Sequence, residues 1–422
     1  MGLSIFLFIF IIIFINSKKL NNSGEKLLFV WEHFRHGARQ PYSSFDTKNW
    51  KDILNEHWKG FGELTPVGMR MHYLLGTSIK RKYSDFLGDY NPNEILIRST
   101  DVNRTILSAF STLQGIYNNT NNFNLNNNQI KLGLIQNKNY STKISEKIIS
   151  LGNKALEGGY GVYPVHIYPT NFDHQYQLFR KDECPGIEKY INEIKNSSET
   201  KNITHEICER INNTYGEFIF NFMNISGVDK PYYLYNYENL FSIADTFVAD
   251  YFNGRELKAV NKSGIDMDKF YNECLNISSI DSYYRTFGFS PTKLIYISIS
   301  PLFTSLFNYM DMRIDLDKKC KTEQIISESP KFVLTAGHDN SLGLNDLFLK
   351  YEFDINYEKA VYSHNQVYEL WKNEIDNKYF IKYFVNYKQK AIFDYEEFKK
   401  KVNSKIYSSE QIEELCEGND MQ

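Results

Sequence analysis

Residues Lys26–Pro41 read KLLFVWEHFRHGARQP. The first nine, Lys26–Phe34, combine aliphatic, β-branched and aromatic side chains in a run of strand length, as a buried strand does. Arg35, His36, Gly37 and Arg39 follow directly. Two fixed cations around a histidine at a strand end describe either a solvated basic turn or an anion site with a nucleophile inside it.

Working outward, the same plan appears twice more. Glu94–Thr100 (EILIRST) reads as a short strand ending in polar residues, followed by the helical stretch Asp101–Tyr117, with Thr100 or Asp101 near its N-cap. Lys331–Thr335 reads as a strand, followed by the turn AGHDN and a further helix. Between the first two units, Val67, Met71, Leu74, Leu75 and Ile79 recur at helical spacing, and Thr65-Pro66 supplies an N-cap with proline at the first helical position. In open parallel α/β sheets, ligands bind at the carboxyl ends of strands. Three such ends here carry Arg35/His36/Arg39, Arg98 and His338/Asp339, which favours the anion site over the solvated turn.

Those residue types have a joint chemistry. Arginine presents a planar fork of donors that matches phosphate. Adjacent cations disfavour the imidazolium form of His36, which leaves a neutral nucleophile. Gly37 allows close backbone approach. Asp339 is a candidate proton donor to a leaving alkoxide, a role that requires its acid form and favours acidic pH. Blander roles suit other residues. His33 lies within a strand and reads as a packed core histidine. His57, His72 and His166 read as structural or rim residues. Glu32 either pairs with a site arginine or faces solvent.

The bulk properties set the setting. The chain has 422 residues, 42% of them apolar, and a net charge of −3. That suits one large domain or two and gives no general basic field for nucleic acid. Leu3–Ile15 is an apolar run too short for a membrane span, which needs ~20 residues, and it fits a secretory signal peptide over residues 1–17. With the leader removed, no stable membrane span is expected. An uncleaved leader is the anchored alternative. N-x-S/T triplets begin at Asn21, Asn103, Asn118, Asn139, Asn196, Asn202, Asn212, Asn224, Asn261 and Asn276, and several are expected to carry glycans. Asn103 is the exception, because a glycan there would crowd the proposed pocket. The five cysteines (Cys184, Cys208, Cys274, Cys320, Cys416) show no zinc spacing, and in an oxidising compartment two bridges and one spare thiol are the simplest arrangement. The Asn-rich tract 118–128 reads as a solvated loop.

The motifs match a family. RHGARQP and GHDN resemble the two signatures of the histidine acid phosphatases, the secretory branch of the histidine phosphatase superfamily. GFGELTPVGMRMHYLLG, ILIRSTDVNRT, PVHIYPT and FRKDECP are similar to the prostatic and lysosomal acid phosphatases, in family order. The resemblance implies a phosphoglycerate mutase-like α/β fold: a mainly parallel sheet flanked by helices, with an inserted helical cap. Core segments are expected at 26–175 and 288–400, the cap at 176–287 and a tail at 401–422. It implies His36 as nucleophile through a phosphohistidine, Asp339 as proton donor, and Arg35, Arg39, Arg98 and His338 as phosphate ligands. No metal or other cofactor is implied. Cys184 matches a family cysteine bridged near the C-terminus, so Cys416 is its expected partner; Cys208–Cys274 is the expected second bridge, leaving Cys320 spare.

The expected function is hydrolysis of phosphate monoesters, of small molecules or phosphoproteins, by a secreted or lysosomal acid phosphatase, with a homodimer as a candidate assembly. A phytase or a lysophosphatidic acid phosphatase of the same superfamily is the alternative. An inactive, glycosylated binding protein is the non-enzymatic reading; all the expected site positions are filled, which weighs against it.

Overall fold

A computed structural model of the chain describes residues 24–42, 60–117, 124–134, 141–169, 184–226, 236–254, 264–319 and 329–417. The leader, His57, Cys320, residues 118–123 of the Asn-rich tract and the sequons at Asn21, Asn118, Asn139 and Asn261 lie outside them. Seven strands form one sheet among the described residues: β1 Glu25–Arg35, β2 Ile95–Thr100, β3 His166–Tyr168, β4 Phe332–Gly337, β5 Asn365–Asn373, β6 Tyr379–Val385 and β7 Lys388–Asp394. Their order is β3-β2-β4-β1-β5-β6-β7.

The sheet is mixed. β3, β2, β4 and β1 are mutually parallel, whereas β5, β6 and β7 add antiparallel to the β1 edge. The parallel half is the part expected from the strand–loop–helix units. The antiparallel half is a meander with short connections, which needs no crossover helix and so leaves no such unit in the sequence. β1 lies between β4 and β5, and Phe29, Val30, Trp31 and Phe34 are all fully or almost fully buried. Covering on both faces explains its unbroken apolar run.

Helices α1 (Pro66–Lys82) and α2 (Asn103–Ile116) cover one face. Ile79, Ala109 and Leu113 pack there against Val30, Phe34 and Ile97. Thr65 caps α1, its hydroxyl accepting from the Gly68 N–H, with Pro66 at the first helical position. The cap of α2 is Val102 rather than Thr100 or Asp101, with no side-chain bond, so the helix begins at Asn103.

Between residues 184 and 280 the chain runs through α3 (Pro185–Asn196), α4 (Ser198–Ser226), α5 (Tyr237–Phe252) and α6 (Met267–Ile280). Ile211, Phe222, Phe247, Phe270 and Ile277 build an apolar core of its own for this helical layer. Cys208 and Cys274 lie in that core as free buried thiols, which corrects the expected second bridge. Each packs as a small hydrophobe among aliphatic and aromatic side chains. A π-helical turn, Asp281–Arg285, follows α6.

The second sheet face is covered by α7 (Lys293–Lys319) and α8 (Asp339–Phe353), whose Phe303, Leu306, Leu347 and Phe348 pack with Trp31, Tyr368 and Ile381. The chain closes with α9 (Tyr395–Asn403), which runs across residue 400, and α10 (Ser409–Cys416). A Cys184–Cys416 disulfide ties α10 to the start of α3. No helix among the described residues is long and apolar enough to cross a membrane.

Glu32 neither faces solvent nor meets a site arginine, against both readings of the sequence. It is fully buried in β1, where Asn365 Nδ2 and the Tyr387 hydroxyl each donate to its Oε1 at 2.6 Å. Burial pushes its carboxyl up to about 7, against the pull of those two hydrogen bonds. Between pH 4.5 and about 7 the unfolded chain loses this proton while the folded chain keeps it, so this group's contribution to stability falls as pH rises. Glu32→Gln keeps the Oε1 acceptor and removes that slope. Urea melts at pH 5 and pH 7.5 should show the variant gaining on the order of 3 kcal/mol relative to wild type over that interval. Equal slopes would mean that Glu32 is ionised in the folded chain.

Candidate active site

Strand register creates the site. The β1–β4 pairing sets Arg35 opposite Gly337, and the β2–β4 pairing sets Ser99 opposite Ala336. Three neighbouring parallel strands therefore end at one level, and the segments beginning at His36, Asp101 and His338 leave the sheet side by side. A cavity of about 400 Å³ lies between them and the helical layer. Arg35, His36, Arg39, Arg104, His338 and Asp339 line it. Gly37 is needed where the first segment crosses the start of α1: a Cβ there would sit 2.5 Å from the Gly68 carbonyl oxygen.

His36 is buried, and its Nδ1 lies 2.9 Å from the Gly37 carbonyl oxygen. A carbonyl only accepts, so Nδ1 carries the proton and Nε2 keeps its lone pair. Burial, then the charges of Arg104 and Arg35, hold the imidazole well below its ordinary 6.5. It stays neutral in mild acid.

The cations are each held by a fixed partner. Arg35 donates from Nη1 to the Ala360 carbonyl at 2.6 Å and pairs through Nη2 with Asp339 Oδ2 at 2.7 Å. Its guanidinium also stacks over the Tyr362 ring at 4.6 Å. Arg39 makes a two-pronged pair with Asp245 of α5, at 3.1 and 2.7 Å, and the Tyr42 N–H donates to the same carboxylate at 2.9 Å. Asp245 is a site residue that motif reading missed, because it lies in the helical layer, far along the chain. The Nε–H groups of Arg35, Arg39 and Arg104 are buried and unpaired among the described residues.

The sequence expectation fails at Arg98. Ile95 and Ile97 point to the α1/α2 face, so Leu96 and Arg98 alternate to the other, where Leu96 joins the α7/α8 core. Arg98 stacks over Tyr168 of β3 at 3.9 Å and does not line the cavity. It stands two residues short of the strand end, perpendicular to the sheet. Arg104, in the first turn of α2, takes the place in the cavity. Burial, then Arg39, lower its guanidinium to about 10, still a cation in acid. An arginine in a helix's first turn opposes the helix dipole, and a bound anion relieves that conflict. DVNRT carries this signal in sequence.

His338 caps α8, and Asp339 is its first residue, where an acidic group suits the dipole. Arg104 Nη2 lies 3.4 Å from His338 Nδ1, and Thr100 Oγ1 lies 3.1 Å from its Nε2. A guanidinium only donates, so Nδ1 accepts and the Nε2–H donates to Thr100. Both ring nitrogens are engaged: in this arrangement His338 steers Arg104 rather than offering its own proton. Beneath it, His33 contacts Thr335 Oγ1 and Ser341 Oγ at 2.8 and 2.9 Å, a satisfied core histidine. His72 is buried against Thr112, and His166 is exposed on β3. Asn103 donates to Glu63 Oε1 at 3.0 Å beside Arg104.

The family model of the histidine phosphatase superfamily (branch 2) matches residues 26–239. The chain belongs to that superfamily. Among curated relatives of this phosphatase-superfamily chain, mouse prostatic acid phosphatase is 44% identical over 96 residues, 22% of this chain and 24% of its own. Human lysosomal acid phosphatase is 30% identical over 183 residues, 42% of this chain and 35% of its own. The chain thus matches about a quarter to a third of the length of these relatives. A tartrate complex of Hafnia alvei phytase shares the fold at a TM-score of 0.52 and 12% identity, over 94% of this chain and 99% of that one. The Citrobacter braakii phytase does so at 0.52 and 14%, over 93% and 99%.

Arg104→Ala should weaken binding of inorganic phosphate about 100-fold, the loss of a charged contact in a low-dielectric site. Arg98→Ala should leave it within about twofold, since stacking on Tyr168 is remote from the cavity. Calorimetry at pH 5 checks both, and the reverse ranking would restore Arg98 as the ligand.

Proposed function

We propose that the protein is an acid phosphatase that hydrolyses phosphate monoesters through a phosphohistidine. The observation that carries this is the placing of His36: its Nδ1 lies 2.9 Å from the Gly37 carbonyl oxygen, which leaves Nε2 for attack, in a cavity lined by three arginines. Arg35, Arg39 and Arg104 would hold the phosphate oxygens. The His36 Nε2–P bond forms as the P–O bond to the alcohol breaks, and the departing oxygen takes a proton from Asp339. Water then attacks phosphorus, Asp339 accepts its proton, and the N–P bond breaks to release inorganic phosphate. Stabilisation of the transferring group comes from donors already in place.

Acid suits this cycle because burial and the neighbouring guanidiniums keep His36 neutral there. The cavity wall formed by Phe241, Val248 and Leu275 supports esters with a carbon-rich alcohol over a hexaphosphate. The apolar leader, the sequons and the Cys184–Cys416 bridge support a secretory route, to the cell exterior or the lysosome.

His36→Ala should abolish turnover of p-nitrophenyl phosphate at pH 5 and the acid-labile labelling of the chain by 32P-phosphate ester; near-normal turnover would remove His36 as nucleophile. Asp339→Asn should cost at least ~100-fold more with an alkyl phosphate than with p-nitrophenyl phosphate, whose leaving group needs little protonation. Equal losses would count against Asp339 as the acid.

A further inference from the structure

We propose that Lys359 makes the cavity selective for phosphate monoesters whose alcohol carries a second acidic group. This rests on the phosphatase reading and names the substrate class of the same site. Lys359 lines the cavity and is joined through the chain to Ala360, whose carbonyl accepts from Arg35 and whose N–H donates to the Tyr283 hydroxyl at 3.1 Å. The loop is therefore anchored at the phosphate end, and the lysine reaches from that anchor.

The other cations have partners: Arg35 has Asp339, Arg39 has Asp245, and Arg104 has His338. The Lys359 ammonium makes no hydrogen bond or ion pair among the described residues. Its side chain is exposed to solvent along the cavity, and Glu273, the carboxylate that acts on it, is paired with Arg210 at 2.8 Å.

Charge counting gives the same answer. Four cations (Arg35, Arg39, Arg104, Lys359) and two carboxylates (Asp245, Asp339) line the cavity. A phosphate dianion with Asp339 protonated, or a monoanion with Asp339 ionised, leaves one positive charge uncompensated. Ser278, on α6, lines the same cavity. Phe241, Val248 and Leu275 would hold the carbon skeleton. The ligand so described is a phosphate, an apolar spacer and one carboxylate or comparable anion.

The test compares 4-carboxyphenyl phosphate with phenyl phosphate at pH 5. Lys359→Met should lower the ratio of their kcat/KM values about tenfold, Lys359→Glu should lower it further, and Lys359→Arg should restore it. The intrinsic reactivity of the two esters cancels between variants. An unchanged ratio in the Met and Glu variants would overturn the proposal. Calorimetry with 4-carboxybenzylphosphonate and benzylphosphonate reads the same ratio without turnover. If the wild type hydrolyses neither ester, the phosphatase reading fails, and the phosphonate ratio still decides the role of Lys359.

Discussion

Three guanidinium groups share one largely buried cavity, and their mutual repulsion is the constraint around which the site is arranged. Like charges at short range in a medium of low dielectric repel strongly unless each has a counter-group. The protein supplies one to each: Asp339 and a carbonyl for Arg35, Asp245 for Arg39, and a neutral histidine for Arg104. These partners neutralise part of the charge and fix the direction of each fork.

The same constraint gives the helical layer a chemical role. Asp245 reaches Arg39 from α5, and its carboxylate also takes the Tyr42 N–H. The layer has its own apolar core, so the carboxylate is presented from a rigid base. Truncating one partner of such a buried pair is costly, because the other charge is left stranded. One helix therefore carries both features: Asp245 pairs with Arg39, while Phe241 and Val248 line the cavity.

Histidine protonation follows from burial and from the arginines together. His36 and His338 are both held well below their ordinary value, burial first and the guanidiniums next. Arg104 thus serves twice, as a cavity cation and as a charge that keeps His36 unprotonated. Fixed hydrogen bonds choose the tautomers, Nδ1–H for His36 and Nε2–H for His338. Elsewhere a buried Glu32 holds its proton for lack of solvation. Burial acts in opposite directions on acids and bases, and the active site uses the second effect.

Residue identity and local spacing determined the segments: the strand before RHGAR, the Thr65-Pro66 start of α1, and the late strand before His338. Those features depend on neighbours within a few positions, so they are legible in one dimension. The choice between Arg98 and Arg104 was not legible, because it turns on strand alternation and on where α2 begins. Asp245 and Lys359 were invisible for a different reason: their partners lie far off in the chain, and only folding brings them to the cavity. The antiparallel meander of β5–β7 and the separation of Cys208 from Cys274 as free thiols belong to the same class. Sequence alone set which groups the protein owns and which strands end in them. Tertiary structure decided which charges face one another, because pairing energies in a buried cavity depend on distance and direction, and neither is written along the chain.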